Sequence, residues 1–223
     1  MLEEWITARR DRFTCADFNF LNEVLAGGQK RGCLLKLWND PGALREMLDL
    51  KEVFRSILDS PSTLSLSADF YFYILVRHAF LQAGITRPDM ADYVSRVMAQ
   101  RLTSGRDPLQ DIARGYTHTS DFLSIISSSH GKMKFHLQVA AGNQFMVLTG
   151  LFPAFITKRN ELHNAPDLKF YESFAQCSFK NAASNPKSSN TVPRELLGAL
   201  SETLPDARRS LNRVAEEFVF LGE

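Results

Sequence analysis

The stretch Ser67-Ala68-Asp69-Phe70-Tyr71-Phe72-Tyr73-Ile74-Leu75-Val76-Arg77-His78-Ala79-Phe80-Leu81-Gln82-Ala83-Gly84 decides the fold class. Its centre, Phe70 to Val76, is apolar without a break, and its aromatic and β-branched residues favour a strand. The segment is nevertheless too long, because Ala68, Ala79, Leu81, Gln82 and Ala83 carry it well past the usual strand of about 5 or 6 residues. Apolar all round, it reads as a helix enclosed by other helices, capped by Ser67 and stopped at Gly84.

Thr86, Arg87, Pro88 and Asp89 then mark a second helix start, and Met90, Tyr93, Val94, Val97 and Leu102 form its apolar stripe. With Gly84 and Ile85 as hinge, the two helices make a hairpin. Upstream, amphipathic helices are expected from Leu2 to Arg12 and from Asp17 to Ala26. Two short ones follow between Asp40 and Ser60. Downstream of a polar loop from Thr103 to Thr119, Ser120 caps a helix carrying Phe122, Leu123, Ile125 and Ile126. A long helix follows with Met133, Leu137, Ala140, Ala141, Gln144, Leu148 and Leu151 on one face, broadened by Phe145 and Phe152, until Pro153 kinks or restarts it. The next begins near Ala165 and Pro166 and carries Phe170, Tyr171, Phe174, Cys177, Ser178 and Asn181. After a short helix through Leu196, Leu197 and Leu200, the last starts at Thr203 with Pro205 in its first turn. Ala207, Leu211, Val214, Ala215, Phe218 and Leu221 are its stripe. No short alternating segments joined by Asn-Gly or Asp-Gly turns occur. The reading is all-α: an irregular multi-helix bundle of about 8–10 helices in a single domain, with 1–60 peripheral and 184–193 a mobile connection.

Lys plus Arg (26) nearly balance Asp plus Glu (25), so the net charge of +1 provides no global field for nucleic acid. The longest apolar run, Phe70 to Val76, falls far short of the roughly 20 residues that cross a bilayer. Met1 to Phe13 carries Glu3 and Glu4 where a secretion signal carries positive charge. Cys15, Cys33 and Cys177 are an odd count without CxxC spacing, as expected of reduced, buried thiols in a cytoplasmic protein. Neither nucleic acid nor membrane is therefore an expected partner.

Catalytic and metal patterns are weak. None of His78, His118, His130, His136 and His163 has an acid three residues before it, so the Glu-x-x-His pairs of di-iron bundles are absent and no metal is expected. Ser127, Ser128 and Ser129 beside His130 read as a helix-end polar turn rather than a triad. Arg159 with Asn160 and His163, and Arg114 with His118, come near the Arg-polar-His pattern of helical HEPN nucleases, but one residue short of its spacing. Gly27 to Gly32 lacks the Gly-Lys-Ser/Thr ending of a P-loop, and no other cofactor motif stands in the chain. Arg9, Arg10 and Arg12, like Arg208, Arg209 and Arg213, alternate with acids and read as solvated helix faces. No catalytic residue is assigned.

One constellation stands out because it lies on the most apolar helix. Arg77 and His78 are costly to bury there without partners, and Asp69, eight residues before Arg77, shares roughly its face with Tyr73 between them. A structural ion pair explains this. So does a polar site for a small acidic molecule, with Arg77 as anchor, Tyr73 or His78 orienting it, and Arg159 as a further cation.

From Ala141 to Ala183 the residues Gly142, Asn143, Phe145, Gly150, Phe152, Pro153, Arg159, Tyr171 and Ala182 follow one another at characteristic intervals. This pattern resembles one seen in uncharacterised bacterial all-helical proteins of unknown function. It implies a bacterial, cytosolic origin and brings no activity, cofactor or catalytic residue. Gly142 and Gly150 on one helix face point to close packing or a ligand. The expected function is that of an interaction or accessory protein without catalytic activity, acting as a homo-oligomer or on a protein partner. The alternative is the small-ligand site around Arg77 and His78.

Overall fold

The computed structural model describes residues 12–28, 31–59, 65–103, 119–185 and 192–218, which hold eleven helices and no strand. The all-α reading therefore holds, and the helices fall into two compact units, Met1–Thr103 and Ser104–Glu223. The expected helix from Leu2 to Arg12 except for Arg12 itself, the loop between Thr103 and Thr119 and most of the 184–193 connection lie outside the described residues.

The first unit contains α1 (Cys15–Ala26), α2 (Arg31–Trp38), α3 (Pro41–Leu48), α4 (Lys51–Asp59), α5 (Ala68–Gln82) and α6 (Pro88–Thr103). The deciding stretch is α5, with Phe70, Phe72, Tyr73, Ile74, Leu75, Val76 and Phe80 all buried. Ser67 caps it, its Oγ accepting the Phe70 N–H at 3.2 Å. At the other end Gly84 takes φ 78°, so that Ile85 N–H reaches the Phe80 carbonyl at 2.8 Å and Gly84 N–H reaches that of Leu81 at 3.1 Å. This is a Schellman stop, and it turns the chain into the hairpin with α6.

Helix α1 begins two residues earlier than expected because Asp17 is the third residue of a capping box whose cap is Thr14. Asp17 is fully buried, and its oxygens accept the Thr14 N–H at 2.7 Å, the Ser67 N–H at 2.9 Å and the Ser67 hydroxyl at 2.7 Å. One carboxylate thus organises the starts of both α1 and α5. The described residues of segment 1–60, expected to be peripheral, contribute to the core of this unit, since Phe18, Phe20, Leu21, Leu44, Leu48, Val53 and Ile57 are all buried.

The second unit contains α7 (Thr119–Ser128), α8 (Gly131–Leu151), α9 (Pro153–His163), α10 (Leu168–Ala183) and α11 (Arg194–Phe218). Helix α8 packs against α7, α10 and α11 together, so its buried residues spread around it instead of forming the one expected stripe. Phe135 and Met146 are fully buried, whereas Met133 and Phe152 are exposed. A Cβ at Gly142 would lie 2.6 Å from the Phe179 ring of α10, and one at Gly150 would lie 2.8 Å from Leu211 of α11. Eight residues turn a helix by about 80°, which is why the two glycines admit different neighbours. Both serve packing.

Two prolines shape this unit. Pro153 has no N–H for the Thr149 carbonyl, so α8 ends and α9 leaves at 92°. The Asn212 amide donates to that carbonyl at 2.9 Å and to Gly150 O at 2.7 Å. Pro205, expected in the first turn of a separate last helix, instead lies inside the 25-residue α11. It leaves the Ser201 carbonyl without its helical donor. Gln176 Nε2 of α10 donates to that oxygen at 3.1 Å, and Ser201 Oγ donates back to Gln176 O at 3.0 Å. A side-chain amide from another helix thus replaces each missing N–H, allowing one helix to bend and the other to continue.

The three cysteines are free, and all are exposed rather than buried: each stands on the solvent side of an amphipathic helix. Among the described residues no single helix is long and apolar enough to cross a membrane.

Candidate functional site

Arg77 is 5% exposed and held by three hydrogen bonds. Its Nε and Nη2 donate to Asp49 Oδ1 and Oδ2 at 2.8 and 2.7 Å, and Nη1 donates to the Thr86 carbonyl at 2.7 Å. Burial disfavours the charged guanidinium, but the hydrogen bond to Asp49 and the charges of Tyr73 and Asp49 outweigh it and hold Arg77 above its ordinary pKa. The fork joins the C-terminal cap of α3 to the entry of α6, so this arginine is a structural clamp that spends three of its five N–H donors on the fold.

Asp69 is not its partner. Eight residues of helix separate the two by about 12 Å of rise, so each is met from outside α5. Arg12 Nη1 donates to Asp69 at 2.8 Å and its Nη2 to the buried Asp92 at 2.6 Å. Arg12 is therefore a bridge in the first unit and not a solvated helix end. Tyr73 is 1% exposed within the core. Arg159 belongs to the second unit, where its guanidinium lies over the Phe155 ring, 5.7 Å from the centroid.

His78 alone among these residues lines a cleft. The cavity, of about 440 Å³, lies in the first unit between α4 and α5 and is bounded by Asp49, Lys51, Phe54, Arg55, His78, Leu81 and Gln82. Lys51 and Arg55 are one turn apart on α4, and His78 and Gln82 are one turn apart on α5. The imidazole stacks on Phe54 with centroids 3.6 Å apart and an interplanar angle of 13°, and its Nε2 is 2.8 Å from the Gln82 amide. Ring orientation is thus fixed from two sides. The cations Lys51 and Arg55 escaped the sequence reading, although their four-residue spacing beside Phe54 on an amphipathic helix was there to be seen.

A different surface lies along α9 and its N-terminal cap, where Ile156 is buried and Phe152, Phe155 and Leu162 are 38%, 52% and 64% exposed. Phe155, Arg159 and Leu162 recur at steps of four and three residues, which places them within about a sixth of the helix circumference, and Phe152 is the cap residue that precedes the helix, with φ −127° and ψ 46°. The polar turn at Ser127 and Ser128 is structural, both hydroxyls donating to the Ser124 carbonyl. Arg208 is likewise internal: it pairs with Glu172 and donates to Asn212 Oδ1 at 2.6 Å, aiming that amide at the end of α8. Among the described residues no three His, Cys, Asp or Glu side chains converge as metal ligands.

Compared with protein-family models, curated proteins and solved structures, the chain matches none of them.

Proposed function

We propose that the protein is a non-catalytic interaction protein of the bacterial cytoplasm that works as a homodimer through α9. The bacterial and cytoplasmic setting rests on the resemblance over residues 141–183. The dimer rests on the stripe Phe152, Phe155, Arg159 and Leu162, in which the three apolar residues are exposed and Arg159 is half-buried. Its three-four-three spacing reads the same in both directions, so a two-fold axis can lay two copies of α9 antiparallel. Phe152 then faces the partner's Leu162, and Phe155 faces the partner's Arg159. The latter contact repeats between chains the cation–π pairing already present within one. Phe70, Phe80, Phe122, Phe135 and Phe179 are core, whereas Phe152 and Phe155 are exposed and available as interface anchors.

Native mass spectrometry and sedimentation equilibrium test the reading. Wild type is expected as a dimer, and Phe155→Glu with Leu162→Glu as a monomer of unchanged helical content, because both positions face solvent in the single chain. A wild type that stays monomeric at every concentration, or a doubly charged variant that still dimerises, overturns it.

A further inference from the structure

We infer that the cleft between α4 and α5 is a binding site for a small phosphate-bearing molecule. The donors come from two sides: the Lys51 ammonium and Arg55 guanidinium from α4, the His78 imidazole and Gln82 amide from α5. Among the described residues neither Lys51 nor Arg55 is held in an ion pair. The one carboxylate in the wall, Asp49, is bound through both oxygens by Arg77, so its charge is neutralised where it would otherwise repel an anion. Phe54 and Leu81 supply apolar wall beside these donors, which suits an organic phosphate better than a bare ion. The Phe54–His78 stack is too close to admit a flat ring between its members. The ligand's apolar part therefore rests on Leu81 and the edge of Phe54, with the phosphate between the cations.

The probes are phenyl phosphate and inorganic phosphate, titrated against the full chain at constant ionic strength and followed by backbone and imidazole NMR shifts. Expected are saturable shifts confined to residues 49–55 and 78–82, stronger binding of phenyl phosphate than of inorganic phosphate, and weakening by at least about tenfold in Lys51→Gln/Arg55→Gln. Both substituted residues face solvent at one end of an exposed helix face, so the fold should persist, as the far-UV spectrum will show. Shifts no larger than those produced by matched chloride, or equal affinity in the double variant, overturn the assignment. The same titration on Phe155→Glu/Leu162→Glu keeps this result independent of the dimer.

Discussion

At the scale of single residues, Arg77 shows how a buried charge is made tolerable. Its fork is matched by one carboxylate and one carbonyl, so Arg77→Met removes three hydrogen bonds and leaves Asp49 beside an apolar stem. The expected loss is about 3 kcal/mol, read as a lowered urea midpoint with an unchanged slope. Arg77→Lys should fall between, since an ammonium keeps the charge and loses the bidentate geometry. Because the arginine is held above its ordinary pKa, the part of the stabilisation that depends on its own protonation is lost only as the pH rises into the strongly alkaline range. An Arg77→Met protein as stable as wild type would show that the clamp contributes nothing. The sequence marked Arg77 because a lone cation in an apolar helix demands a partner. It could not identify Asp49, which lies 28 residues away across a helix junction, and the same-helix acid offered by spacing was the wrong one. The cleft was legible only through His78, since what makes it cationic is the neighbouring helix.

At the scale of elements, local chemistry made most helix limits readable, including the Ser67 cap, the Gly84 stop and the Gly27 turn at φ 54°. Pro205 defeated that reading for a physical reason. A proline in a helix interior costs about 3 kcal/mol when its orphaned carbonyl has no donor, and the donor here comes from Gln176, 25 residues away. A double-mutant cycle checks the compensation. Gln176→Leu should destabilise by about 1–2 kcal/mol, and Pro205→Ala should recover most of that in the Gln176→Leu background by restoring an N–H to Ser201 O. Additive effects of the two substitutions would mean that amide and proline are unrelated. Asn212 serves the same purpose at the end of α8, so the turn into α9, and with it the direction of the exposed stripe, depends on a side chain of α11. Helix faces were less legible than helix ends. Helix α8 meets α7, α9, α10 and α11, and a period of 3.6 names a buried face only when one side is buried.

At the scale of the whole molecule, the two proposed activities fall in different compact units. Every residue of the anion cleft lies between Asp49 and Gln82, and every residue of the α9 stripe between Phe152 and Leu162. Each unit also has its own interior, Phe70, Leu75 and Phe80 in one and Phe135, Phe179 and Leu211 in the other. The units have roughly the size, about 100 residues, at which a single core sustains folding. Fragments 1–103 and 104–223 should therefore each give a helical far-UV spectrum and a cooperative urea transition. The first should bind phenyl phosphate without dimerising, and the second should dimerise without binding it. Fragments that stay unfolded apart but recover helix and cooperativity when mixed would show instead that the chain folds as one domain. Both activities would then depend on a core that neither half completes.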